Sequence, residues 1–190
     1  MEPFRSRVSA RRASVARVEP VEINAGRYYL RALRADRLID DRPALVAGLA
    51  DPECARWLTH VSVSTLAEAG AYVAKRARSW AEETRFSWAV AEPTTGALLG
   101  EVLLKDLDLD SGLAEAGCWA VPEARGRGMT TEALGAVLRF GFGALGLREI
   151  AYKHSPGNTA SRRVAEKLGF TPVAGTAELS ELVLRNPRAG

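Results

Sequence analysis

Cysteine and histidine are scarce in this chain: two of each among 190 residues, Cys54, Cys118, His60 and His154. The cysteines lie far apart, neither in a C-x-x-C pair nor beside a histidine, so the sequence offers no disulfide framework and no metal site. A reducing cytoplasm is the plain expectation. Long apolar runs are missing too; none approaches the roughly 20 residues that span a bilayer, which argues against a membrane protein. Charge of one sign is not in large excess: 26 Lys and Arg against 23 Asp and Glu leave a formal +3, which permits an anionic partner without demanding one. Nucleic acid is therefore not the expected partner.

What remains, 47% hydrophobic and 26% charged residues, is the composition of a globular protein. The length suits one core better than two, so residues 21–190 are expected to form one domain. Residues 1–20 stand apart, with Arg5, Arg7, Arg11, Arg12 and Arg17 among serines and alanines. They lack the apolar centre of a secretory signal and read as a solvated tail, with targeting or an acidic partner as alternatives.

Periodicity gives the elements. Tyr28 to Leu33 reads as a strand; Asp41 stands where it would cap a helix carrying Leu45, Val46 and Leu49, closed by Pro52. Thr65 and Glu68 form a capping box before the stripe Leu66, Ala69, Val73, Ala77 and Trp80. From Phe86 the period falls to 2, giving a strand, a turn at Pro93–Gly96, a second strand Leu98–Leu104 and a third, Leu113–Val121. In the third, Glu115, Gly117, Trp119 and Val121 share one face. Thr130 or Thr131 is expected to cap a helix with Leu134, Val137, Leu138 and Gly141 inward. Glu149–Lys153 then reads as a strand, Asn158 as the cap of a last helix ending at Gly169, and Glu178–Leu184 as a final strand. The order implies an α/β domain on a mixed, largely antiparallel sheet.

The informative stretch is Val121 to Glu132, VPEARGRGMTTE, where a strand ends, glycines free the backbone and a helix begins at once. First-turn amides have no partner in the helix and its dipole is positive there, so a pyrophosphate is a natural ligand. Gly126 and Gly128 allow close approach, and Arg125 and Arg127 add charge. No Gly-Lys-Ser/Thr follows, and the spacing is not that of a dinucleotide fingerprint.

Arg125-Gly126-Arg127-Gly128-Met129-Thr130 resembles the R/Q-x-x-G-x-A/G motif of GNAT acetyltransferases. About 30 residues on, Asn158 to Phe170, NTASRRVAEKLGF, is similar to the N-x-x-S run of the RimJ/RimL-type branch. The resemblance implies the GNAT fold, a six- to seven-stranded sheet with about four helices, splayed beside Leu113–Val121. It also implies acetyl-CoA as co-substrate, with backbone groups of Trp119, Ala120 and Val121 facing pantetheine and amides of Gly126 to Thr130 on the pyrophosphate. Asn158 is implied to touch pantetheine, Ser161 to be a candidate acid for the leaving thiolate, and Glu115 to be the general base. Thr130 departs from the usual Ala or Gly.

The expected activity is transfer of acetyl to a primary amine, that of a protein or peptide N-terminus or of a small molecule, by a monomer or homodimer. Two other readings stay open: a non-catalytic acyl-CoA-binding module, favoured if Glu115 is locked in an ion pair facing away from the cleft, and an enzyme acting on aminoacyl-tRNA. His154, just after a strand, is a further candidate to line the acceptor site.

Overall fold

The computed structural model describes residues 20–187; the arginine-rich segment before them lies outside the described residues. Eight strands, β1 (Ile23–Ala25), β2 (Tyr28–Arg31), β3 (Arg85–Ala91), β4 (Leu98–Asp108), β5 (Leu113–Ala120), β6 (Glu149–His154), β7 (Thr171–Gly175) and β8 (Ser180–Arg185), form one sheet. The spatial order is β1-β2-β3-β4-β5-β6-β8-β7, and every pair is antiparallel except β5 with β6. The six to seven strands that the resemblance implies become eight. β1 has only three residues, too few to alternate, and β7 contains Pro172, which an edge strand tolerates because one side has no ladder to break.

Five helices flank the sheet: α1 (Arg42–Ala50), α2 (Pro52–Trp57), α3 (Leu66–Ala81), α4 (Met129–Gly143) and α5 (Thr159–Lys167). Among the described residues no helix is long and apolar enough to cross a membrane. Pro52 opens α2 rather than merely closing α1, with Asp51 accepting from the Cys54 amide at 3.1 Å as its cap. Asp41 precedes α1 but its side chain does not cap it. It is buried, bonded to both terminal nitrogens of Arg31 at 2.8 Å, and it accepts from the Arg34 amide. The Thr65–Glu68 capping box forms as expected.

The buried stripe of α3 is Ala69, Tyr72, Arg76 and Trp80, turned away from the expected Leu66 and Ala77. Its cause is a carboxylate. Glu101 on β4 is fully buried, accepts from the Tyr72 hydroxyl and from Trp119 Nε1 at 3.0 Å, and lies 3.3 Å from Arg85 Nη2 and 3.4 Å from Arg76 Nε. Desolvation pushes its carboxyl up, but the charges of Arg85 and Arg76 and the two hydrogen bonds outweigh that and hold it below the ordinary range. Odd-numbered β4 residues thus face α1 and α3. Even-numbered ones face α4, where a β-carbon at Gly141 would touch Leu104, Leu147 and Ile150.

Candidate active site

Pairing of β5 with β6 stops at Ala116 and Tyr152, although β5 runs on to Ala120. On its other side β5 stays bound to β4, and the Val121 amide donates to Leu99 O at 2.9 Å. Peptide groups alternate along a strand, so Trp119 turns to β4 like Val121, while Cys118 and Ala120 turn to the gap. Of the expected Trp119–Val121 set, Ala120 alone faces it, and Cys118 joins. A cleft of about 730 Å³ opens there.

The loop after β5 is a 3-10 turn, Pro122–Ala124, then Arg125 to Gly128. Gly128, not Thr130 or Thr131, is the N-cap of α4, with φ +79°, and Gly126 has φ +74°; both need the left-handed region that glycine enters freely. A β-carbon at Gly126 would meet nothing within 4 Å and one at Gly128 only Arg27 Nη2 at 3.8 Å, so the loop has open space for a ligand beside it. Gly128 O accepts from the Glu132 amide, which leaves the amides of Met129, Thr130 and Thr131 without helical acceptors. A polyphosphate fits this geometry.

Arg125 does not present its charge to that space. Its guanidinium bonds Asp51 and the Ala120 carbonyl (3.1 and 3.2 Å) and lies 3.5 Å from Cys54 Sγ, bracing the loop against α2. The hydrogen bond from Arg125 holds the Asp51 carboxyl below its usual range. Arg127 is exposed, and its carbonyl accepts from Arg27 Nη2 at 3.4 Å. Arg27 grips Glu132 with its backbone amide (2.7 Å) and guanidinium (2.8 Å), tying the β1–β2 hairpin to the start of α4.

The cleft has two walls. On one, Glu115 takes Lys105 Nζ at 2.8 Å on one oxygen and Lys153 Nζ at 3.1 Å on the other; its side chain is 13% exposed and lines the cleft. Hydrogen bonding and charge from Glu115 raise the Lys153 pKa. Glu115 is therefore in an ion pair, but one that faces the cleft. Two residues along, Leu103 packs over Gly117, 3.2 Å from where a β-carbon would stand. On the other wall, Asn158 Oδ1 accepts from the Ser161 amide at 3.0 Å, capping α5 and leaving its amide nitrogen over. Ser161 Oγ lies 2.8 Å from the Tyr152 hydroxyl, itself 3.2 Å from Cys118 Sγ. His154 ends β6, buried to 7% exposure, with Nδ1 2.8 Å from Ser155 O and Nε2 lacking any partner.

The profile of the acetyltransferase (GNAT) domain matches residues 27–171. The chain belongs to the GNAT family of N-acetyltransferases. This family uses acetyl-CoA. The acetyltransferase is 28% identical over 144 residues to the uncharacterized N-acetyltransferase YoaA of Bacillus subtilis, covering 73% of this chain and 81% of that one. It is 40% identical over 91 residues to human alpha/beta-tubulin-N-acetyltransferase 9, covering 46% of this chain and 44% of that one. Mycobacterium smegmatis RimJ, solved in complex with CoA-disulfide, superposes with a TM-score of 0.74 at 20% identity over 90% of this chain and 88% of that one, a likeness of fold.

Several residues in and around the cleft were not legible in the sequence, although Asp51 carried a signal, Asp-Pro being a cap followed by the first helical residue. Tyr152 shows as an apolar strand residue, and nothing local says that its hydroxyl meets Ser161. Lys105, Lys153 and Arg27 act across the sheet or over a hundred residues of chain, which no local pattern records.

Proposed function

We propose that the enzyme moves the acetyl group of acetyl-CoA directly to a primary amine, that of a protein or peptide N-terminus or of a small molecule, with no covalent enzyme intermediate. The observation that supports this best is one cleft with a hydroxyl on the α5 wall and a carboxylate on the β4–β5 wall. Amides of Gly126 to Thr130 and the positive end of α4 hold the pyrophosphate. The peptide groups of Cys118, the backbone amide of Ala120 and the free side-chain amide of Asn158 serve pantetheine. As the amine nitrogen bonds to the carbonyl carbon and the C–S bond breaks, Ser161 gives its Oγ proton to sulfur. Glu115 takes the amine's surplus proton through water, and that proton restores Ser161 through solvent.

No cysteine or histidine touches Ser161 to activate it as a nucleophile; its side-chain partner is Tyr152. Trp57, His60, Tyr72 and Arg85 also line the cleft, and the acceptor's identity is a matter of that part of its lining. A screen of amines for CoA release tests the reading, with one acceptor class expected to turn over. Tight acetyl-CoA binding without release from any amine would favour the acyl-CoA-binding module instead.

Two variants probe the parts. Gly128→Val sets a branched side chain at φ +79° beside the first-turn amides and is expected to weaken acetyl-CoA binding about tenfold by calorimetry, the cost of a strained backbone and a blocked approach. Unchanged affinity in a folded variant would remove the phosphate assignment. Ser161→Ala is expected to lower turnover about thirtyfold, below the usual range because an ordinary hydroxyl is a weak acid, with acetyl-CoA affinity unchanged. Acetyl found on Ser161 on the kinetic pathway contradicts direct transfer.

A further inference from the structure

We propose that Tyr152 is a positioning residue that fixes the Ser161 hydroxyl with its proton directed to the thioester sulfur. The inference rests on the reading of Ser161 as the acid given above. Each hydroxyl carries one proton, so the 2.8 Å bond between Tyr152 Oη and Ser161 Oγ runs in one of two directions. If Ser161 donated to Tyr152, it would have no proton left for the cleft.

Three points argue for the opposite direction. A phenol is the stronger acid and the better donor of the two hydroxyls. The other group in reach of Tyr152 is Cys118 Sγ at 3.2 Å, a poor acceptor for the phenol proton but a thiol able to donate its own. Burial pushes the Cys118 pKa up to about 11, so the thiol keeps that proton near neutrality. The bonds then align as Cys118 S–H to Tyr152, Tyr152 O–H to Ser161, and Ser161 O–H to the cleft.

The scaffold around this chain is stiff. Tyr152 is 2% exposed on β6, with its ring 5.4 Å from that of Phe170 and 6.4 Å from that of His154. Ser161 is pinned through its backbone by Asn158 but has a side chain free to choose among three staggered rotamers. The phenol supplies the missing restraint. Desolvation keeps Tyr152 protonated as well, so it remains a donor at any pH at which the fold persists in neutral or mildly alkaline buffer.

The test uses the full chain, acetyl-CoA and the best amine from the screen. Tyr152→Phe keeps the ring packing and is expected to lower kcat about fivefold, the worth of one ordinary hydrogen bond, with KM for acetyl-CoA unchanged. In the double variant Tyr152→Phe/Ser161→Ala the loss is expected to stay at about thirtyfold, that of Ser161→Ala alone, rather than reach the product of about 150-fold. A multiplicative loss, a full kcat in Tyr152→Phe, or a rise in KM with kcat unchanged overturns the inference. Should Tyr152→Phe lose its fold, Cys118→Ala reads the same chain one bond further out, with about a twofold fall in kcat that vanishes in the Ser161→Ala background; a fall that persists there overturns it. Unchanged turnover in Ser161→Ala removes the Ser161 reading itself. A loss there with none in Tyr152→Phe removes the Tyr152 inference alone.

Discussion

Glu115→Gln is expected to slow turnover roughly 10²- to 10⁴-fold, the usual reach of general-base catalysis, while acetyl-CoA affinity holds. The substitution keeps size and shape and removes the charge. It also strips Lys105 and Lys153 of their partner, so a folding defect has to be weighed. The lysine side chains are 32% and 36% exposed and keep contact with water, but Glu115 is only 13% exposed, so the unfolding transition of the variant is measured beside its turnover. A hundredfold loss of turnover with an unchanged transition cannot come from unfolding. Near-normal turnover with the same pH profile would make the carboxylate structural, and the unpartnered Nε2 of His154 in the opposite wall would be the next acceptor for the proton.

Glu101→Gln is expected to have the largest effect on stability, a loss of about 3–5 kcal/mol, because it leaves Arg76 and Arg85 facing a buried neutral amide. Denaturant unfolding at neutral pH measures it directly. The pH dependence has a definite sign. The Glu101 carboxyl is lower in the folded chain than in the unfolded one, so its contribution is fully present above the ordinary carboxyl range and is lost as pH falls through the folded value. Wild-type stability should thus drop on acidification more steeply than that of the variant, which has nothing there to protonate. Equal acid sensitivity in the two proteins would mean that the carboxylate is not what holds Tyr72, Arg76, Arg85 and Trp119 together.

What the sequence told in advance follows the range of the interactions. The Thr65–Glu68 box, the Asn158 cap and the strand-to-helix loop at Gly126 and Gly128 are decided within a few residues, and all were readable. Asp41 was misread because Arg31, ten residues away, outbids the helix end for its carboxylate. The buried face of α3 was misread because a polar residue, Arg76, is drawn inward by a carboxylate on β4 that the apolar count ignores. Arg125 was expected to meet phosphate, yet Asp51, which lies 74 residues earlier, turns it inward. Sequence motifs located the loop; the direction of its charged side chains needed the neighbours.

The early end of the β5–β6 ladder has a consequence for how the protein keeps to itself. An unpaired strand edge is ordinarily a hazard, a template on which another chain can add a strand and begin to aggregate. Here the stretch from Gly117 to Ala120, which has no strand partner on its β6 side and whose Ala120 carbonyl is taken by Arg125, sits in the middle of the sheet, between β4 on one side and the first turn of α5 across the cleft. A helix lying across the gap is one of the ways in which a sheet covers an edge, so these groups are screened from other chains while they still line the cleft.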